Sequence, residues 1–193
     1  MSRPADLRYG APAGHHLSWQ GRQVAVLEKR PAALPGDVRW TRLPRLDRCT
    51  LAAAYALDAA THGAVRAGGA RAAAVVRVSW ASLDGVRTYM DRTSRRHGAI
   101  ARDFAHMGGT STCHYLATCL DIKGYATVLF DDPAGRTAST AADDVAQLPY
   151  IDTLCQITVR LRPDTANRLM NALAPATEEV SARLTTFPSR EVE

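Results

Sequence analysis

Gly124-Tyr125-Ala126-Thr127-Val128-Leu129-Phe130-Asp131-Asp132-Pro133-Ala134-Gly135-Arg136-Thr137-Ala138 reads as a strand, a sharp turn and the start of a helix. Tyr125 to Phe130 mix β-branched and aromatic side chains, the composition that suits a pleated, half-buried surface. Asp131 to Gly135 supply turn chemistry, with Asp132 at the elbow. From Arg136 to Gln147 the spacing predicts a helix with Ala138, Ala142 and Val145 on one face and Ser139, Asp143 and Asp144 on another. Pro149 stops it.

Working outward, the same alternation of strand and helix recurs. Ile151 to Leu161 reads as a long strand in which Ile151, Cys155, Ile157, Val159 and Leu161 take one side for much of its length. A last helix is expected within residues 164–184. Before Gly124, residues 110–121 carry an apolar stripe of Cys113, Leu116, Ala117 and Leu120 at helical spacing, with Thr110 or Ser111 as cap. Asp84 to Arg95 predicts another helix. Ala72 to Val78 is an apolar run broken only by Arg77, the pattern of a strand buried on both faces. Leu46, Cys49, Ala53, Leu57 and Ala60 recur every three or four residues, which predicts a helix over 46–61 with Asp47 as N-cap. Residues 1–45 are Pro-rich and show little periodicity, apart from a short strand expected at Val24–Leu27. The division is therefore a Pro-rich N-terminal arm, 1–45, and one α/β domain, 46–193, with at least partly parallel strand pairing.

Composition narrows the function classes. The 193 residues are 46% hydrophobic and 22% charged, which excludes global disorder. No apolar run is long enough for a signal peptide or a membrane span, so no membrane partner is expected. Cys49, Cys113, Cys119 and Cys155 form no C-x-x-C pair, consistent with reduced thiols and a cytoplasmic location. The net charge of +5 favours an acidic partner. Clustered arginines interleaved with aromatics on a recognition helix are missing, so nucleic acid is not that partner. Arg92, Arg95 and Arg96 are the expected basic patch.

Few side chains suggest chemistry of their own. Cys113-His114 pairs a nucleophile with a base in sequence, but neighbours on a helix point about 100° apart. Gly108-Gly109-Thr110-Ser111 ahead of a helix could receive a phosphate on free backbone N–H groups. His15-His16, His97 and His106 lack metal-ligand spacing, and Asp143-Asp144 reads as a solvated helix face. Neither a metal nor a cofactor is expected.

The segment around Gly124 to Ala138 resembles the nucleophile region of β-ketoacyl synthases, in which a glycine, a Thr-Val strand, a cysteine, a small-small-Gly turn and an alanine-rich helix follow in order. Asp132 stands where that family has its cysteine. The resemblance extends to Arg45-Leu46-Asp47-Arg48 with Leu51 to Leu57, to Ala74 to Ser82, to Asp103-Phe104, and to the helix ending at Leu120 to Gly124. It covers roughly residues 45–161 in colinear order. What it implies is a thiolase-like layered sandwich, approximately its N-terminal half only, with a mixed sheet flanked by Ala-rich helices. It further implies a chain-length-factor-type subunit that is not catalytic by itself, because aspartate cannot replace a thiolate. The implied partners are a ketosynthase subunit, paired through Ala126, Thr127, Val128, Leu129 and Phe130, and an acidic acyl carrier protein. Phe104, Met107, Thr112, Tyr115 and Leu116 would bound the acyl-chain tunnel. The competing reading is a small acyltransferase or thioester hydrolase with its own site at Cys113, His114 and Asp132.

On the first reading, incubation with malonyl or acyl carrier protein leaves the mass of this chain unchanged. An acyl adduct in the intact-mass spectrum would refute it.

Overall fold

In the computed structural model, the residues described are 13–79, 93–94, 109–131, 143–163, 168–172 and 174–187. The apolar run Ala72-Ala73-Ala74-Val75-Val76 enters strand β2 (Ala72–Ser79), where alternate side chains must satisfy opposite faces of a sheet. Both faces are covered. Ala72, Ala74, Val76 and Val78 join the main core, while Ala73 and Val75 join a second cluster with Val145, Ile151 and Leu154. That two-sided burial is why residues 72–76 form an unbroken apolar run rather than an alternating pattern.

β2 lies beside β3 (Tyr125–Asp131) on one side and β4 (Thr153–Arg160) on the other, parallel to both. β4 pairs antiparallel with β5 (Glu179–Thr186), which pairs antiparallel with β1 (Ala13–Gln20). The sheet is therefore five-stranded and mixed, in the order β1-β5-β4-β2-β3. Its register runs straight across all five strands, for example Val128–Val76–Ile157–Ala182–Leu17 on the main-core face.

Helix α1 (Arg45–Ala60) covers that face, packing against the sheet and against α3 (Thr110–Leu120). A short α2 (Ala64–Ala67) follows α1. The alanines of α1 lie against the sheet with Ala53 and Ala54 fully enclosed, which brings the helix close to its neighbours. Helix α4 (Arg168–Ala172) stands between β4 and β5. The α/β class with a mixed sheet matches the expectation from the sequence.

Four local expectations are corrected. Val24 to Leu27 is not a strand but part of a 3₁₀ helix, Gly21–Glu28. Val24 and Leu27, three residues apart, share its buried side while Val26 is exposed, as three residues per turn requires. The described part of the proline-rich stretch, residues 13–45, adds β1 and places Val24, Leu27, Leu34, Trp40 and Leu43 in the main core. The expected last helix gives way after α4 to β5, in which Val180, Ala182 and Leu184 are buried at period two. Asp47 is not the N-cap of α1; Pro44 is, and Asp47 lies buried in the first turn. The expected helix over 84–95 (but for residues 93–94), the elbow at Asp132 and the arginines 92, 95 and 96 lie outside the described residues.

Two ionic contacts hold connections to α1. The Arg45 guanidinium donates to Glu28 at 2.8 Å and to Glu178 at 2.7 and 3.2 Å, joining the 3₁₀ helix and the segment before β5 to the start of α1. Glu178 also accepts from the Arg162 backbone N–H at 3.0 Å. Burial alone would raise the Glu178 carboxyl, but these donors outweigh it and hold it below its ordinary value of 4.5.

Gly124, the first residue of the decisive stretch, meets the backbone where β2 begins. A Cβ there would come within 2.5 Å of the Ala70 carbonyl oxygen and 2.6 Å of that of Ala72, while its own N–H donates to Ala72 at 3.1 Å. Rigid backbone cannot yield as a side chain can. Gly124→Ala is expected to lower stability by roughly 1–3 kcal/mol, read as a lower urea midpoint. An unchanged midpoint would show that β3 can enter the sheet by another path.

Candidate functional site

The residues singled out for chemistry gather where α3 meets α1 and β3. Gly109 precedes α3 with a φ of 73°, a left-handed conformation that glycine adopts without strain. A Cβ there would lie 2.9 to 3.1 Å from the Val128 side chain, so the glycine lets the start of α3 rest on β3. Thr110, Ser111 and Thr112 then form the first turn. The Ser111 hydroxyl donates to Asp47 Oδ2 at 2.9 Å, and the Thr112 hydroxyl makes a short hydrogen bond to Asp47 Oδ1. Asp47 is 1% exposed. The anion at this helix N-terminus is thus the chain's own carboxylate, where the glycine-rich stretch had suggested a phosphate.

This arrangement assigns a structural place to most of the expected tunnel residues. Thr112 is fully buried and spends its hydroxyl on Asp47. Leu116 is fully enclosed in the main core. Tyr115 is half-buried against that core, its ring edge-on to His114 with centroids 5.6 Å apart. Phe104, Met107 and Asp132 lie outside the described residues.

Cys113 and His114 diverge as helix geometry requires: the thiol is half-buried and the imidazole exposed. Burial pushes the Cys113 thiol up, and the nearby Asp47 charge pushes it further. Cys119 is also raised by burial. Cys49 and Cys155, deep in the core, are pushed up to about 12. A reactive cysteine needs the opposite environment, one that favours the thiolate. The acyl-transfer reading therefore has no activated thiol among the described residues.

The five residues Ala126 to Phe130 all fall in β3, the last strand of the sheet. Ala126, Val128 and Phe130 pack on the main core and Leu129 on the second cluster. One edge of β3 is bonded along its length to β2; among the described residues no strand pairs with the other.

Sequence reasoning missed Asp47 as the organiser of this region. Its signal was visible only as an acid inside an apolar helix pattern, since its partners lie 64 and 65 residues away. Among the described residues no group of three His, Cys, Asp or Glu side chains could hold a metal ion, and no helix is long and apolar enough to cross a membrane. No protein-family model and no curated protein matches the chain.

At pH 7.5 the native protein should react slowly with a maleimide. Cys49 and Cys155 should label only on unfolding, and Cys113 more slowly than an unstructured thiol. Rapid single-site labelling at Cys113, accompanied by loss of a thioesterase activity, would restore the enzymatic reading.

Proposed function

We propose that this chain is a non-catalytic, ketosynthase-like subunit of the chain-length-factor type, which pairs with a ketosynthase through β3 and helps shape its acyl-chain pocket. The observation that carries the reading is the position of Ala126 to Phe130 at the end of the sheet. The residues whose sequence resembles the pairing segment of that family occupy a strand with one edge still open to another strand among the described residues. The raised thiols add support, because a subunit that only holds its partner in shape needs no nucleophile. An exposed row of backbone N–H and C=O groups is itself a strong cause of association.

The pocket-shaping part of this reading rests on the segment from Phe104 into α3. Phe104, Met107, Thr112, Tyr115 and Leu116 would bound the tunnel from that segment, with Thr112 held by Asp47 and Leu116 by the main core. The +5 charge would draw an acidic acyl carrier protein to the complex, which would work in the cytoplasm.

Pairing of this kind is expected to bury over ~2,000 Å² in total, as obligate interfaces do. Proline at Val128 is a poor probe, since Val128 also packs against Gly109 and the core. Hydrogen exchange is cleaner. Mixing with a full-length ketosynthase should give a complex of equimolar composition by size-exclusion chromatography with light scattering and slow the outward amides of residues 125–131. Failure to co-purify, with those amides exchanging unchanged, would sink the proposal.

A further inference from the structure

Among the described residues, the opposite end of the sheet carries a second open edge. β1 bonds to β5 through eight consecutive residue pairs, Ala13–Thr186 to Gln20–Glu179, and no other described strand lies beyond it. Natural sheets protect such edges with lysine, proline, inward charges or a bulge. β1 has none of these. Its sequence, Ala-Gly-His-His-Leu-Ser-Trp-Gln, lacks proline, lysine, arginine and carboxylates, and its register is continuous.

We propose that β1 pairs antiparallel with β1 of a second copy of this chain, joining two five-stranded sheets into one of ten strands. The inference does not rest on the ketosynthase reading. Charge allows it, because a strand without Lys, Arg, Asp or Glu brings no like-charged pair opposite itself. Geometry then selects the register. In a continuous antiparallel sheet paired residues lie on the same face, so the two-fold axis must pass through a residue rather than between two. An axis at His16 would set two imidazoles directly opposite one another. An axis at Leu17 instead pairs Leu17 with its own copy, His15 with Trp19, and His16 with Ser18. Leu17 and Trp19 are half-buried on the main-core face, so this register extends the apolar layer across the seam. It also sets an aromatic ring against a ring, a favourable cross-strand pair. On the other face Arg183 lies over Gly14, its guanidinium 3.9 Å from where a Cβ would stand, which leaves the outer edge of β1 uncluttered.

The Leu17 register makes a prediction that a chance association would not. His16 and Ser18 are both exposed and lie opposite each other across the axis. The double variant His16→Lys with Ser18→Lys creates two like-charged cross-strand pairs. The variant His16→Lys with Ser18→Glu creates two opposite-charged pairs at the same positions. For the full chain alone, light scattering at micromolar concentration should give twice the chain mass, with amides of residues 13–20 slowed on dimerisation. The Lys/Lys variant should dissociate at roughly tenfold higher concentration, and the Lys/Glu variant should dimerise at least as well as the parent. Matching circular dichroism and melting of the two variants at high dilution guards against misfolding as the cause. A monomeric parent overturns the proposal. So does a dimer whose 13–20 amides remain fast, as pairing through β3 would leave them, or two variants with equal dissociation constants.

Discussion

A buried carboxylate needs a partner in the folded state, and α1 carries two of them. Asp47 is met by the hydroxyls of Ser111 and Thr112, which sets the start of α3 against α1. Asp58, 6% exposed, is met by the Arg66 backbone N–H at 3.1 Å and its guanidinium at 3.3 Å, which sets α2 beneath the other end. Between them the Tyr55 hydroxyl donates to the Cys119 carbonyl at 3.0 Å, and Arg66 lies over the Tyr55 ring. Leaving either carboxylate without its partner would strand a charge in a region of low dielectric, a far larger loss than the pair itself contributes. The main-core layer is therefore arranged around one helix, and the apolar burial around it follows.

That dependence explains what the sequence made legible. The strand at 153–160 and the helices at 45–60 and 110–120 are periodic because each is buried on a fixed side, the strand at 72–79 shows as an apolar run because both its faces are covered, and that at 125–131 shows in its β-branched and aromatic composition. β5 is periodic too, but its Val180, Ala182 and Leu184 alternate with polar and charged residues close to a helical stretch, so its period of two does not stand out from the helical pattern. β1 was illegible for a different reason. It lies at the sheet's end with only Leu17 and Trp19 half-buried, and burial is what writes a pattern into a strand. The 3₁₀ helix at 21–28 was hidden by Val24-Ala25-Val26-Leu27, whose composition suits a strand while only Val24 and Leu27 face the core.

The candidate site divides in the same way. Ala126 to Phe130 could be read as a strand from local composition, and their place at the sheet's end follows from a topology that no local pattern encodes. Thr112 and Leu116 are singled out through the family resemblance alone, and their surroundings, Asp47 at the Thr112 hydroxyl and the core around Leu116, are set by the tertiary fold. Contacts separated by more than sixty residues in the chain do not appear in a periodicity.

Among the described residues, both ends of the sheet are strands of seven or eight residues paired to a strand on one side only. Interior strands gain stability from ladders on both sides; these two gain half of it. Covering either edge by another chain satisfies the backbone groups along it without altering the fold, because the edge strand is already held straight and in register by its inner neighbour. The same rigidity argues against chemistry at the core-facing thiols. Cys49 and Cys155 are small hydrophobes whose surroundings oppose ionisation, and Cys113 stands beside a carboxylate that does the same.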